Sequence, residues 1–141
     1  MLLTPSLATI DTLNTDALVL FFTTAQKGWT HTTQFLDFRL CGQIASLWKN
    51  KQITGNLDET ILLSTNNRIN AKSVFCFGLG DSMTLMYSAQ SKLQWVFSIL
   101  EKAKVTSCAF DQPYGSVEFA QTLQVAKNQN LSFEWQGVFN S

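Results

Sequence analysis

Residues Ala17-Leu18-Val19-Leu20-Phe21-Phe22 form an unbroken apolar run of strand length. Such a run fits a strand covered on both faces, central in its sheet. Before it, Leu7 to Thr12 mixes apolar and hydroxyl residues and reads as a first strand, ended by the turn-forming Asn14-Thr15-Asp16. From Gln34 to Lys49 the apolar residues Leu36, Leu40, Ile44 and Leu47 step by four, four and three, and Phe35, Phe38 and Trp48 widen the stripe. That spacing predicts one helix with a buried face. Thr60 to Thr65 and Ser73 to Phe77 are β-rich runs joined through Asn66-Asn67-Arg68 and Ile69 to Ala71, too long a connection for a tight hairpin. Leu85, Ala89, Leu93, Val96 and Leu100 predict a second helix, and Val105 to Phe110 a further strand. After the turn Asp111-Gln112-Pro113-Tyr114-Gly115, Ser116 is placed to cap a third helix to about Asn128, with Phe119, Leu123 and Ala126 inward. The last segment sets Leu131, Phe133 and Trp135 against Ser132, Glu134 and Gln136, the alternation of a one-sided edge strand. Strands alternating with helices predict a three-layer α/β/α sandwich around a mixed, largely parallel sheet.

With 141 residues, few prolines and neither linker nor repeat, residues 1–141 are expected to fold as one domain. Ten basic and ten acidic residues cancel, which argues against a nucleic-acid partner. Charged residues make up only 14% against 11 Phe and 4 Trp, so apolar surface is expected to be left over for a partner. No stretch approaches the roughly 20 apolar residues that span a bilayer, and no leader is visible, so a cytoplasmic location is expected. Cys41, Cys76 and Cys108 are widely spaced and read as reduced, packed thiols.

Candidate chemistry is sparse. His31, the one histidine, falls in Trp29-Thr30-His31-Thr32-Thr33, which reads as a solvated loop before the first helix, and no G-x-S-x-G elbow marks a nucleophile. Asp58 and Glu59 are adjacent; strand neighbours would point apart rather than converge on a metal or proton, and the pair reads as a solvated loop. Gly78-Leu79-Gly80 follows a strand and precedes a helix, where α/β folds place phosphate on free backbone N–H groups. Gly78, Leu79, Gly80, Asp81 and Ser82 are therefore the candidate ligand contacts. The motif lacks the full dinucleotide fingerprint and the P-loop lysine, and Asp81 would repel phosphate unless it turns away as a cap. Among the tryptophans, Trp48 and Trp95 read as helix-face packing rather than base-stacking platforms. No catalytic residue, metal site or cofactor site is expected.

From Leu36 to Gly80 the sequence resembles the N-terminal domain of the leucine aminopeptidase family. The landmarks are Leu36-Asp37, Leu40, Gly42 and Ile44, then Thr54-Gly55, Glu59-Thr60 and Leu62-Leu63, and finally Ala71, Val74 and Gly78-Leu79-Gly80. Asp16-Ala17-Leu18-Val19 also sits where that family has its first buried strand. The resemblance implies a macro-domain-like fold. It also implies that the two-metal peptidase chemistry belongs to a larger C-terminal domain, before which this chain ends. Asn14-Thr15-Asp16-Ala17 spells the start of the family's metal signature, but Leu18 stands where Glu is required, so it reads as a turn. Asp81 stands where the family often has a basic residue, which weakens an anion role for the turn.

The expected function is a non-catalytic assembly or regulatory module, binding itself as a homo-oligomer or a separately encoded protein through an edge carrying Phe133, Trp135 and Phe139. The alternatives are a nucleotide or ADP-ribose binding module of macro-domain type, holding a small phosphate-bearing ligand near Gly78 to Ser82, and an accessory part of a two-metal leucyl aminopeptidase. DNA contact, known among relatives, is disfavoured by the balanced charge.

Overall fold

The computed structural model describes residues 2–24, 26–114, 117–126 and 131–140, apart from the side chains of 82–87, 117, 118, 120 and 124. The apolar run becomes β2 (Ala17–Phe22), buried at every position. It pairs in parallel with β4 (Ser73–Gly78) on one side and β5 (Ser107–Phe110) on the other. Beyond β4 lies β3 (Thr60–Ser64), antiparallel; beyond β5 lie β6 (Glu134–Phe139) and the two-residue β1 (Leu2–Leu3), both parallel. The order is β1-β6-β5-β2-β4-β3.

Strand alternation divides β2 between two cores. Ala17, Val19 and Phe21 face α4 (Ser82–Lys102) and α5 (Val117–Ala126), joining Leu93, Val96, Leu100, Phe119 and Leu123. Leu18, Leu20 and Phe22 face the other way, onto α1 (Leu7–Thr12), α2 (His31–Arg39) and α3 (Gln43–Lys49), where Ile10, Leu36 and Ile44 are fully buried. The three-layer sandwich follows, each buried Leu or Phe contributing about 1.5–3 kcal/mol. Among the described residues no helix is long and apolar enough to cross a membrane.

Four local expectations are corrected. Leu7–Thr12 is a helix, not a strand. Ser6 caps it by accepting the Thr9 N–H at 3.1 Å, and the Thr12 hydroxyl donates to the Ala8 carbonyl at 2.7 Å, so these hydroxyls serve helical backbone. His31 opens α2, capped by Thr30, instead of lying in a loop. The single helix over Gln34–Lys49 is broken between α2 and α3, where Cys41 and Gly42 take φ of 58° and 79°. Asp37 restarts the helix, its Oδ1 accepting the N–H of Ile44 at 2.7 Å and of Ala45 at 3.1 Å.

The last strand is an edge only up to Gly137, because β1 covers its last two residues, Leu2 meeting Val138 and Leu3 meeting Phe139. A bulge between Cys108 and Ala109 of β5 skips Gln136 and changes which face follows. Phe133 and Trp135 therefore pack on the α4–α5 side, Trp135 stacked 4.7 Å from Phe110, whereas Phe139 enters the opposite core. Phe133 and Phe139 are 5% and 1% exposed, so they offer no face to a partner in the folded chain. The expected Ser116 cap and helix end at Asn128 lie outside the described residues, as does the Leu85 side chain.

Candidate functional site

After β2 the chain turns to helices on one face of the sheet, whereas after its neighbours β4 and β5 it turns to helices on the other. The carboxyl end of β2 is thus a topological switch point, the usual ligand crevice of an open α/β sheet. Thr23, Thr24, Gln26 to Thr30, Gly78 to Asp81 and Asp111 to Tyr114 surround it.

The G-L-G turn lies here, but its donors are occupied from within the chain. The Gly78 N–H donates to the Glu59 carbonyl at 2.7 Å, the Leu79 N–H to Phe22 at 2.8 Å and the Gly80 N–H to Gly55 at 2.8 Å. The Gly80 carbonyl in turn accepts the Thr24 N–H at 3.0 Å. A Cβ at Gly78 would stand 1.9 Å from the Asn56 carbonyl oxygen, and one at Gly55 2.4 Å from that of Thr23. Gly55 and Gly80 also need φ of +80° and +78°. The glycines let three backbone segments touch, forming a clasp between β2, β4 and the loop before β3. Asp81 is exposed beside the clasp, and the Ser82 side chain lies outside the described residues.

Carboxylates of the chain fill two further anion positions. Glu59 accepts the N–H of Thr54 at 2.9 Å, the N–H of Gly55 at 3.1 Å and the Thr54 hydroxyl at 2.6 Å. The Asp58–Glu59 pair lies in the turn before β3, where exposed Asp58 turns out at φ 65° and fits the solvated-loop reading, whereas Glu59 is bonded inward and corrects it. Asp111, 2% exposed, accepts the hydroxyl of Thr30, which itself accepts the Thr33 N–H at 3.2 Å as the cap of α2. A buried carboxylate therefore stands at the positive end of α2. Lys92 of α4 donates to the Leu79 carbonyl. Burial lowers its pKa against the opposing influence of Asp58 and Asp81.

An open cleft of about 340 Å³ adjoins the clasp, lined by Gln26, Lys27, Gly28, Trp29, Gln34 and Trp48. Trp29 and Trp48 meet edge to face at 6.2 Å. Both glutamine amides are bonded to loop backbone, Gln26 to Thr23 N–H and Gly28 carbonyl, and Gln34 to the Trp29 carbonyl. The Thr23 hydroxyl is buried without a partner among the described residues. Apolar pattern alone did not reveal this cleft, nor Asp111, whose significance depends on contacts from residues far away in sequence.

Elsewhere, no group of three or more His, Cys, Asp or Glu among the described residues could hold a metal. His31 is exposed, 6.4 Å from the Phe35 ring. Trp48 and Trp95 pack against the cores, as their helix spacing predicts. Cys76 and Cys108 are buried, but Cys41 is exposed, correcting the expectation of three packed thiols.

Known proteins bear directly on this arrangement. The model of the cytosol aminopeptidase family N-terminal domain matches residues 18–128, and only that domain of the family is matched. A tomato leucine aminopeptidase mutant superposes with a TM-score of 0.63 at 12% identity, over 99% of this chain and 32% of that one. The macrodomain of Thermus aquaticus DarG gives 0.64 at 16% identity, covering 99% and 97% of the two chains. An Oceanobacillus iheyensis macrodomain with ADP gives 0.62 at 13%, covering 94% and 80%. At these identities the solved structures establish the macrodomain-like fold alone. The chain spans about a third of the tomato enzyme, at 32% of its length. No curated protein gives a significant sequence match. With the landmark glycines Gly55, Gly78 and Gly80 assembled into one clasp and the family model matched across β2 to α5, the chain belongs to the cytosol aminopeptidase family through its N-terminal domain.

Proposed function

We propose that this chain is a non-catalytic module of the cytoplasm that works through protein contacts, with itself or with a separately encoded partner. The observation that carries this reading is the state of the G-L-G turn. All three of its N–H groups are bonded to carbonyls of the chain, and neighbouring anion positions hold Glu59 and Asp111. A phosphate arriving there would have to displace bonds already made. Apolar side chains also stand exposed near the clasp, Leu57 at 56% and Leu62 at 62%.

Calorimetric titration with ADP-ribose is expected to give no heat, while the purified chain self-associates at high concentration or retains a protein partner. Saturable heat from ADP-ribose, or a strict monomer that retains nothing, would overturn the reading.

One observation favours a second reading, a nucleotide or ADP-ribose binder. The cleft beside Trp29 and Trp48, about 340 Å³, is of ligand-pocket size, and one macrodomain of this fold is described with ADP. Under that reading ADP-ribose quenches tryptophan fluorescence. The likeness to part of the tomato enzyme supports a third role, as an accessory part of a two-metal leucyl aminopeptidase.

A further inference from the structure

We infer that the open edge of β3 receives β3 of a second copy of this chain, antiparallel about a two-fold axis. The inference rests on the assembly reading and gives it a surface and an occupant.

The two ends of the sheet differ. One ends in the two-residue β1, too short to template another strand. The other ends in β3, Thr60-Ile61-Leu62-Leu63-Ser64, five residues without charge or proline and in unbroken register with β4. Proteins usually blunt such edges with lysine, proline or a bulge. Here none is present.

Backbone geometry fixes what the edge offers. The Glu59 carbonyl bonds to the Gly78 N–H, so by the alternation of an antiparallel ladder Ile61 and Leu63 also address β4. Thr60, Leu62 and Ser64 therefore turn their N–H and C=O groups outward. Leu62 adds a side chain 62% exposed.

Charge selects a second copy and its orientation. Exposed Asp58 and Asp81 lie at the amino end of β3, and exposed Arg68 and Lys72 at its carboxyl end. Lys92, bonded to the Leu79 carbonyl, also lies near both carboxylates and offsets one of their two charges, leaving that end net acidic. Antiparallel pairing centred on Leu62 brings Thr60 beside Ser64 of the other copy and each acidic end beside a basic one. Parallel pairing would set like against like. The edge is thus complementary to itself, as an isologous contact requires.

Sedimentation velocity over a wide concentration range tests this on the wild type, Leu62→Lys and Arg68→Glu. Both side chains are exposed, so circular dichroism should be unchanged. The wild type should show a monomer–dimer equilibrium that weakens with salt, Leu62→Lys should remain monomeric, and Arg68→Glu should dimerise several-fold more weakly. Oligomers indifferent to both substitutions would overturn the edge as the contact while leaving assembly intact. A monomeric wild type that retains a different protein would do the same. A monomer that retains nothing would overturn both.

Discussion

A methyl group added at Gly42 points into open space, whereas one at Gly78 would land 1.9 Å from a backbone carbonyl. Gly42→Ala should therefore cost only left-handed strain, about 1 kcal/mol. Gly78→Ala should cost about 3 kcal/mol by forcing the clasp apart. Urea unfolding distinguishes them, and equal costs would mean that the clasp yields. Burial, with Glu59 and Asp16 adding to it, pushes the Cys76 and Cys108 thiols far above the ordinary value of 9.0. In the folded protein one thiol, Cys41, should react with a disulfide reagent, and all three in denaturant. The folded values are raised, so stability from this source is complete below 9.0 and declines as pH rises past it. Unfolded thiols then ionise while folded ones remain protonated. Denaturation midpoints that rise with alkaline pH would contradict the assignment. The glycines were visible in the sequence, but their partners were not. Gly78 meets Asn56 only because the loop before β3 folds back against β4, a contact no local pattern encodes.

Elements were legible where one face is buried over several turns, and less so where a cap decides. The apolar spacing from Leu36 to Leu47 identified the inward face correctly, since Leu36, Leu40 and Ile44 share one core on both sides of the break. It missed the break because Asp37 reads as one polar residue in a polar stripe, while in space it caps α3. Asp37→Ala should cost about 1 kcal/mol, seen as a lower thermal midpoint; an unchanged midpoint would show that α3 is held by packing alone. Leu7–Thr12 was too short for periodicity to distinguish strand from helix, and Ser6 settles it. The alternation of the last strand was read correctly through Trp135. The cover over its last two residues was not, because residues 2 and 3 provide it.

The whole molecule followed from the alternation of β2, which addresses both cores and so requires helices on both faces. The position of the candidate site was also legible, because a glycine turn after a buried strand marks the carboxyl end of the sheet. Its chemistry was not. Glu59 reads as a loop acid and Asp111 as part of a turn in the sequence, but the fold turns both carboxylates inward onto Thr54, Gly55 and Thr30. At the clasp the N–H groups of Gly78, Leu79 and Gly80 are spent on carbonyls of the chain itself. The most direct test follows the backbone amides of Gly78, Leu79 and Gly80 by NMR during titration with ADP-ribose. Slow hydrogen exchange and unmoved resonances are predicted; saturable shifts at these amides would contradict the account.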